Sequence, residues 1–296
     1  MDPLHSAAAG DWLKPLIDAQ WHSMHAVVPR GFPAYARIFH PVWRDRPEDT
    51  RTWHGHELPA QGAIEGQNAG WSGVALAFGR QMHALAQYHR LPGPEVPLLG
   101  PVDAEGWRYS GPDLGHLDPE VLAEAAVHLC AHTGTPGHGV TAIWDGYGGL
   151  SSSAGYAELS FSEDGVHMAN TVASAVLGTA PGSGLLPAEV VNGEKLELPN
   201  RSYYLFDTAP RIYIDPGWVN RAPWHHSPAS PQSPNILWPA DHSWVLVSEI
   251  DFDSTVVAGS RELIAALVQD PAVEALVLRE GADLTWDADV PNRPAG

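Results

Sequence analysis

Apolar positions in the first third of the chain recur at helical spacing. Leu16, Ile17, Trp21, Met24, Val27 and Val28 fall on one face, so the spacing predicts an amphipathic helix over Leu16–Val28. Pro15 suits its first turn and Pro29-Arg30-Gly31 stops it. Phe32–Trp43 is apolar and aromatic, the texture of a strand ending at Pro41. Thr52–Ser72 has no period and reads as loop, and Gly73–His89 as a second helix. Leu91–Gly115 carries five prolines and five glycines, too many turn formers for a regular element, so it is expected to be a connector. Asp118-Pro119-Glu120 then starts a helix by cap, first-turn proline and dipole complement, running to about His132.

Beyond Thr133-Gly134 the texture changes. Val140–Trp144, Tyr156–Phe161, Tyr203–Phe206, Arg211–Ile214 and Trp244–Ile250 are short β-branched or aromatic runs bounded by turn residues, which predicts strands. Ser260–Val268 reads as a capped helix and Val273–Leu278 as a last strand. The segment Asp215–His242 holds six prolines, three tryptophans and three histidines, and is expected to pack on the body. The pattern as a whole predicts an α+β fold, with a mixed, mostly antiparallel sheet and a helix-rich N-terminal part. Residues 1–296 are expected to form one compact domain, helix- and loop-rich over 1–115 and α+β over 116–296.

Composition narrows the function classes. The 296 residues carry a formal charge of −19, and the densest cationic stretch, Arg44-Asp45-Arg46 with Arg51, is interleaved with acids. A nucleic-acid or anionic-membrane partner needs a cationic surface, so neither is expected. Cys130 is the single cysteine, which excludes a disulfide within the chain and points to a buried thiol. No stretch reaches the roughly 18 apolar residues of a membrane span, and the first residues have neither a basic region nor an apolar run. A cytoplasmic location is the expectation.

Candidate chemistry gathers in Trp244–Ser260. Asp251-Phe252-Asp253-Ser254-Thr255 after an apolar run resembles the first motif of haloacid-dehalogenase-type phosphatases. That motif needs a lysine and further acids on later strands, yet the only lysines, Lys14 and Lys195, lie upstream. What remains is the alternation of Glu249, Asp251 and Asp253. On a strand it puts three carboxylates on one face, a donor set for Mg²⁺ or Ca²⁺ or simply a solvated edge. Zinc is the third possible divalent metal. His128 and His132 have the spacing of a zincin helix but lack its glutamate. His54-Gly55-His56-Glu57, His225-His226 and Asp241-His242 close no ligand set at diagnostic spacing. No Gly-x-Ser-x-Gly elbow occurs, and Gly146-Tyr147-Gly148-Gly149 reads as a tight turn. Trp144, Tyr147, Trp218, Trp224, Trp238 and Trp244 are candidate ligand-binding aromatics, with core filling as the alternative.

Three stretches carry a family resemblance: His132-Thr133 with Ile143-Trp144-Asp145-Gly146-Tyr147-Gly148; Leu198-Pro199-Asn200-Arg201-Ser202-Tyr203-Tyr204-Leu205-Phe206; and Ser233-Pro234-Asn235 with Leu237-Trp238-Pro239, Asp241 and Trp244 running into Glu249–Thr255. Together they resemble an uncharacterised group of hypothetical proteins from high-GC Gram-positive bacteria. The group has no assigned reaction, so the resemblance transfers no catalytic residue. It implies that Trp144–Gly148 and Trp238–Thr255 form one structural unit. The leading functional expectation is a binding or interaction protein, immunity-type or regulatory, with a protein or small-molecule partner. The first alternative is a metal-assisted hydrolase or lyase on Glu249, Asp251 and Asp253, with His242 or His226 as acid/base and Asp251 and Asp253 as catalytic candidates. The second is carbohydrate or small-ligand binding through the Trp-rich segment 215–244.

Overall fold

Val, Ile, Leu and Tyr at consecutive positions make strands that are buried on both faces, and such strands dominate this protein. The structure is a computed structural model. It describes residues 1–56, 62–93, 100–151, 160–162, 165–167, 184–225 and 232–294. In chain order the elements are β1 (Asp2–Pro3), β2 (Ala34–Phe39), β3 (Val42–Pro47), β4 (Ile64–Ala69), α1 (Trp71–Ala77), β5 (Arg108–Tyr109), α2 (Pro119–Ala131), β6 (Gly139–Trp144) and the hairpin β7 (Ser160–Ser162) and β8 (Gly165–His167). Then follow α3 (Ala188–Val191), β9 (Leu196–Leu198), β10 (Arg201–Asp207), β11 (Ile236–Pro239), β12 (Val245–Val247), β13 (Ser254–Gly259), α4 (Arg261–Gln269) and β14 (Ala275–Leu278).

Nine strands form the main sheet in the order β1-β10-β6-β11-β12-β13-β2-β14, with β9 also on β10. Every pairing in it is antiparallel, so the sheet is not mixed. One face buries Ile143, Tyr204, Phe206, Leu246 and Val257 against α2, α4 and two 3-10 turns, Pro210–Ile214 and Pro216–Arg221. The other buries Tyr203, Leu205, Trp238, Val247 and Val256 beneath Leu13, Ile17, Met24 and Leu284. Adjacent residues of one strand thus serve different cores, as Tyr203 and Tyr204 do. A smaller sheet, β4-β3-β5, encloses a third core with α1, Phe39 and Trp107.

The expected helix-rich N-terminal part is corrected: among the described residues up to 115, α1 is the one α-helix, seven residues long. The stretch Leu16–Val28 lies on the sheet as irregular chain that follows a ten-residue 3-10 helix, Ala7–Leu16, and includes a single 3-10 turn, Met24–Ala26. Long-range backbone bonds replace a helical ladder there: Asp18 N–H donates to His25 O at 2.8 Å, Arg30 N–H to Leu16 O at 3.0 Å and Met24 N–H to Ala282 O at 2.8 Å. The helical spacing arises because Ile17 and Met24–Val28 all bury, whereas Trp21 on the same nominal stripe faces solvent. The second expected helix stops at Gly79, whose φ of +65° closes α1 with Gly79 N–H on Leu76 O and Arg80 N–H on Ala75 O. Arg211–Ile214 is a 3-10 turn rather than a strand; Tyr213 turns inward to Thr141, with Oη and Oγ1 2.6 Å apart. The supposed loop Thr52–Ser72 contains β4, and Pro41 ends one strand while Val42 begins another in the smaller sheet.

Local capping signals hold. Asp118 Oδ1 accepts from Glu120 N–H and Val121 N–H at the start of α2, and Ser260 Oγ accepts from Leu263 N–H at the start of α4. Among the described residues no helix is long and apolar enough to cross a membrane.

Candidate functional site

At one end of the main sheet, the β12–β13 turn over residues 248–253 passes against the connector 111–118. Gly115 makes the close approach possible. Its N–H donates to Phe252 O at 2.9 Å, and a Cβ on Gly115 would lie 2.8 Å from the Ile250 backbone. Behind the crossing runs a buried chain of polar groups: Ser248 Oγ to Thr255 Oγ1 at 2.6 Å, Thr255 Oγ1 to His40 Nε2 at 2.9 Å, and His40 Nδ1 to Asp113 O at 2.7 Å. A carbonyl only accepts, so His40 Nδ1 carries the proton. Nε2 then accepts from Thr255, and Thr255 accepts from Ser248. Burial pushes His40 down to about 3, so its ring is neutral. Asn235 adds a second tie. Its Oδ1 accepts from Trp144 N–H at 2.8 Å, and its Nδ2 donates to Tyr147 Oη at 2.9 Å and Ser248 O at 3.1 Å.

In front of His40 the two sheets and the start of α2 leave a cleft of about 200 Å³. His40, Trp43, Asn68, Asp113, His116 and Asp118 line it with Pro41 and Gly111, and no arginine or lysine does. The Trp43 ring is 47% exposed and lies across Gly66, where any Cβ would collide with it. His116 Nδ1 is buried with no hydrogen-bond partner. Burial lowers the His116 pKa, with Asp113 opposing, so this ring too is held towards the neutral form. Asp118 uses Oδ1 on the backbone of α2, and Asp113 has an exposed carboxylate. The cleft is a polar recess with an aromatic rim, lined by two carboxylates, two imidazoles and the Asn68 amide. It is not a nucleophile site: Ser248 and Thr255 are fully buried behind His40, whose two nitrogens are both engaged.

The nominated carboxylates are not a strand face. Glu249–Asp253 is a turn, and two arginines divide the set. Arg201 Nη2 donates to Glu249 Oε1 at 3.0 Å and to Asp251 Oδ2 at 2.8 Å, while Arg37 Nη2 donates to Asp253 Oδ1 at 3.1 Å. Burial raises the pKa values of Glu249 and Asp253, and their arginines pull them back down. His242 lies at the opposite end of β12, at φ +53°, stacked on Trp12 with centroids 4.1 Å apart. The proposed catalytic set of Asp251, Asp253 and His242 is therefore not assembled. Among the described residues no group of three or more His, Cys, Asp or Glu is placed to hold a metal ion. His226 and Glu57 lie outside the described residues. His128 pairs with Asp270 at 2.6 Å, and His132 Nδ1 bonds His128 O, so the two do not converge. His54 and His56 bond Asp103 O and Thr50 Oγ1. Burial raises the Cys130 thiol, which is half-buried.

Four of the six nominated aromatics are core. Trp218, Trp224, Trp238 and Trp244 are at most 1% exposed, which places them in the core, the alternative that the sequence left open for these aromatics. Trp244 Nε1 donates to Leu129 O at 2.8 Å and Trp224 Nε1 to Gln232 O at 3.0 Å, so their polar edges are satisfied inside. Trp144 and Tyr147 remain half-buried, edge to face at 5.3 Å, with the Arg201 guanidinium 5.7 Å from the Trp144 ring. Sequence reasoning missed His40, Arg37, Trp43, Asn68, Asp113 and His116. Their only local signal is the proline- and glycine-rich connector, whose Gly115 and Gly106 have positive φ.

No family model matches the chain, and neither the curated proteins nor the solved structures contain a match to it.

Proposed function

We propose that the protein works by binding, as an interaction or ligand-binding protein of regulatory or immunity type, and not by catalysis. The observation that carries this reading is the fate of the carboxylates. Glu249 and Asp251 share Arg201 and Asp253 is held by Arg37, whereas no arginine or lysine lines the His40–His116 cleft. Charges consumed by internal arginines hold a fold together; a polar recess that no such side chain fills is available to a guest. The formal charge of −19 favours a basic partner over nucleic acid or an anionic membrane. A cytoplasmic setting belongs to the same reading and is supported by a single, unpaired Cys130.

The test is metal content by elemental mass spectrometry together with melting with and without EDTA, on wild type and Asp251→Ala. The binding reading expects no stoichiometric metal, no EDTA shift and little change in Asp251→Ala, whose carboxylate is 70% exposed. Stoichiometric divalent metal that is lost in Asp251→Ala, with a large EDTA shift, would overturn it in favour of metal-assisted hydrolysis.

A further inference from the structure

We propose that the outer edge of β14 is the surface through which two copies of this chain pair, antiparallel, with Leu276 of each copy on a two-fold axis. The inference goes beyond the binding reading and does not depend on it. β14 ends the main sheet, with β2 on its one paired side. The register fixes which backbone groups face outward. Phe39 N–H donates to Glu274 O at 2.9 Å and Ala275 stands opposite Ile38, so Glu274, Leu276 and Leu278 direct their backbone groups to β2. Those of Val273, Ala275, Val277 and Arg279 point the other way. The two outer residues are each half satisfied within the chain: Val273 N–H donates to Asp270 O at 3.1 Å, and Arg279 O accepts from Ala282 N–H at 3.1 Å. The C=O of Val273, both groups of Ala275 and Val277, and the N–H of Arg279 have no backbone partner among the described residues.

This set is complementary to itself. With Leu276 on the axis, Ala275 of one copy lies opposite Val277 of the other, and each offers an N–H and a C=O. One step further out Val273 lies opposite Arg279, and the carbonyl left on one meets the N–H left on the other. The groups already spent inside the chain also fall opposite each other, so no donor or acceptor is stranded. An unrelated extended peptide would bring an N–H to the spent carbonyl of Arg279 and a C=O to the spent N–H of Val273. Side chains agree with the second copy. Val277 is 59% exposed on the face that carries α4, and a groove of about 360 Å³ runs beside it between Ile264, Ala265, Ala34 and Glu280. The pairing sets Val277 beside Ala275 of the other copy and carries that copy's exposed Pro271-Ala272 turn towards the groove. Charge agrees as well. Arg261, Arg279 and Glu280 make one end of the edge net positive. Asp270, held by His128, and Glu274, held by the first N–H groups of α1, make the other negative. The two-fold brings unlike ends together, which a chain of formal charge −19 needs if it is to meet itself.

The experiment is sedimentation velocity of the full chain over a dilution series from hundreds of micromolar to below one micromolar. The variants are Val277→Pro, Val277→Lys and, as a control, Leu76→Lys on the exposed side of α1, where Leu76 is 84% exposed. Proline at 277 removes an outward N–H and leaves the bonds to β2 intact, a place where edge strands accept it. Circular dichroism melting at low concentration checks that all three fold. The expected result is a reversible monomer–dimer equilibrium, unchanged in Leu76→Lys, with the midpoint moved at least tenfold to higher concentration in both Val277 variants. Amide exchange supplies a second reading. The N–H groups of Ala275, Val277 and Arg279 are expected to gain protection as concentration rises, whereas that of Leu276 is protected throughout. A wild-type monomer across the whole series would overturn the proposal. So would a dimer whose midpoint neither folded Val277 variant moves, or one in which those outward amides exchange as they do in the monomer.

Discussion

Arg37 lies on β2 with almost no exposed surface, and every branch of its guanidinium is occupied. Nε donates to Ser254 Oγ at 2.7 Å, Nη1 to Ala86 O at 2.7 Å and Ala84 O at 3.2 Å, and Nη2 to Asp253 Oδ1; the rings of Phe39 and Trp71 lie 4.9 and 5.4 Å from its carbon. One side chain thus pins the segment 84–86 and the start of β13 to the sheet. Arg37→Met leaves Asp253 buried without its cation and is expected to cost about 3–5 kcal/mol in urea unfolding. Adding Asp253→Asn should return part of that loss, and a double mutant no better than the single would refute the pairing. Gly115 makes the opposite kind of contribution, by having no side chain. At φ +78° and with Ile250 so near, Gly115→Ala is expected to lower stability by more than about 1 kcal/mol. A melting curve settles it, since an unchanged midpoint would mean that the crossing is loose. Neither role was legible in the sequence. Arg37 interrupts an apolar run, and nothing local says that it meets Ser254, 217 positions away.

Elements whose signals are local were readable. Asp118-Pro119-Glu120 and Ser260 specify α2 and α4 within one turn of chain, and the structure starts both helices there. Ser260→Ala is expected to cost about 1 kcal/mol, because Leu263 N–H loses its acceptor while little else changes; chemical denaturation of wild type against variant measures it. Glu249, Asp251 and Asp253 show where local reading fails. Alternating acids have the period of a half-exposed strand, but these alternate through a turn, and their partners Arg201 and Arg37 come from distant strands. β13 went unread for a related reason. All six of its residues are buried, and a strand covered on both faces has no alternation to detect. The N-terminal stretch fails in the other direction: it has helical spacing but no helix, because its apolar side chains are spent on a sheet face that other segments build.

For the molecule as a whole, burial of neutral His40 ties stability to pH. In the unfolded chain the ring takes up a proton below about 6.5, whereas in the fold it does so only near 3. Between those values the unfolded state binds the extra proton, so stability is full above about pH 6.5 and declines as pH falls towards 3. The decline approaches about 1.4 kcal/mol per pH unit in the middle of that window. Urea unfolding from pH 7 to pH 4 should show this slope, and His40→Gln should flatten it while lowering stability overall. Glu249 and Asp253, raised by burial, act with the opposite sign where they titrate, so the variant comparison isolates the histidine. The strand order has a consequence for synthesis. β2 is flanked on one side by β13 and on the other by β14, and β1 by β10. As the chain leaves the ribosome, β2 emerges long before either neighbour exists, and its apolar residues have no sheet to join. The nascent N-terminal third is thus an obligate wait state, a natural client for holding chaperones. A message cut short before β13 would leave β2 with neither of its sheet neighbours, an open-edged strand exposed to aggregation and proteolysis.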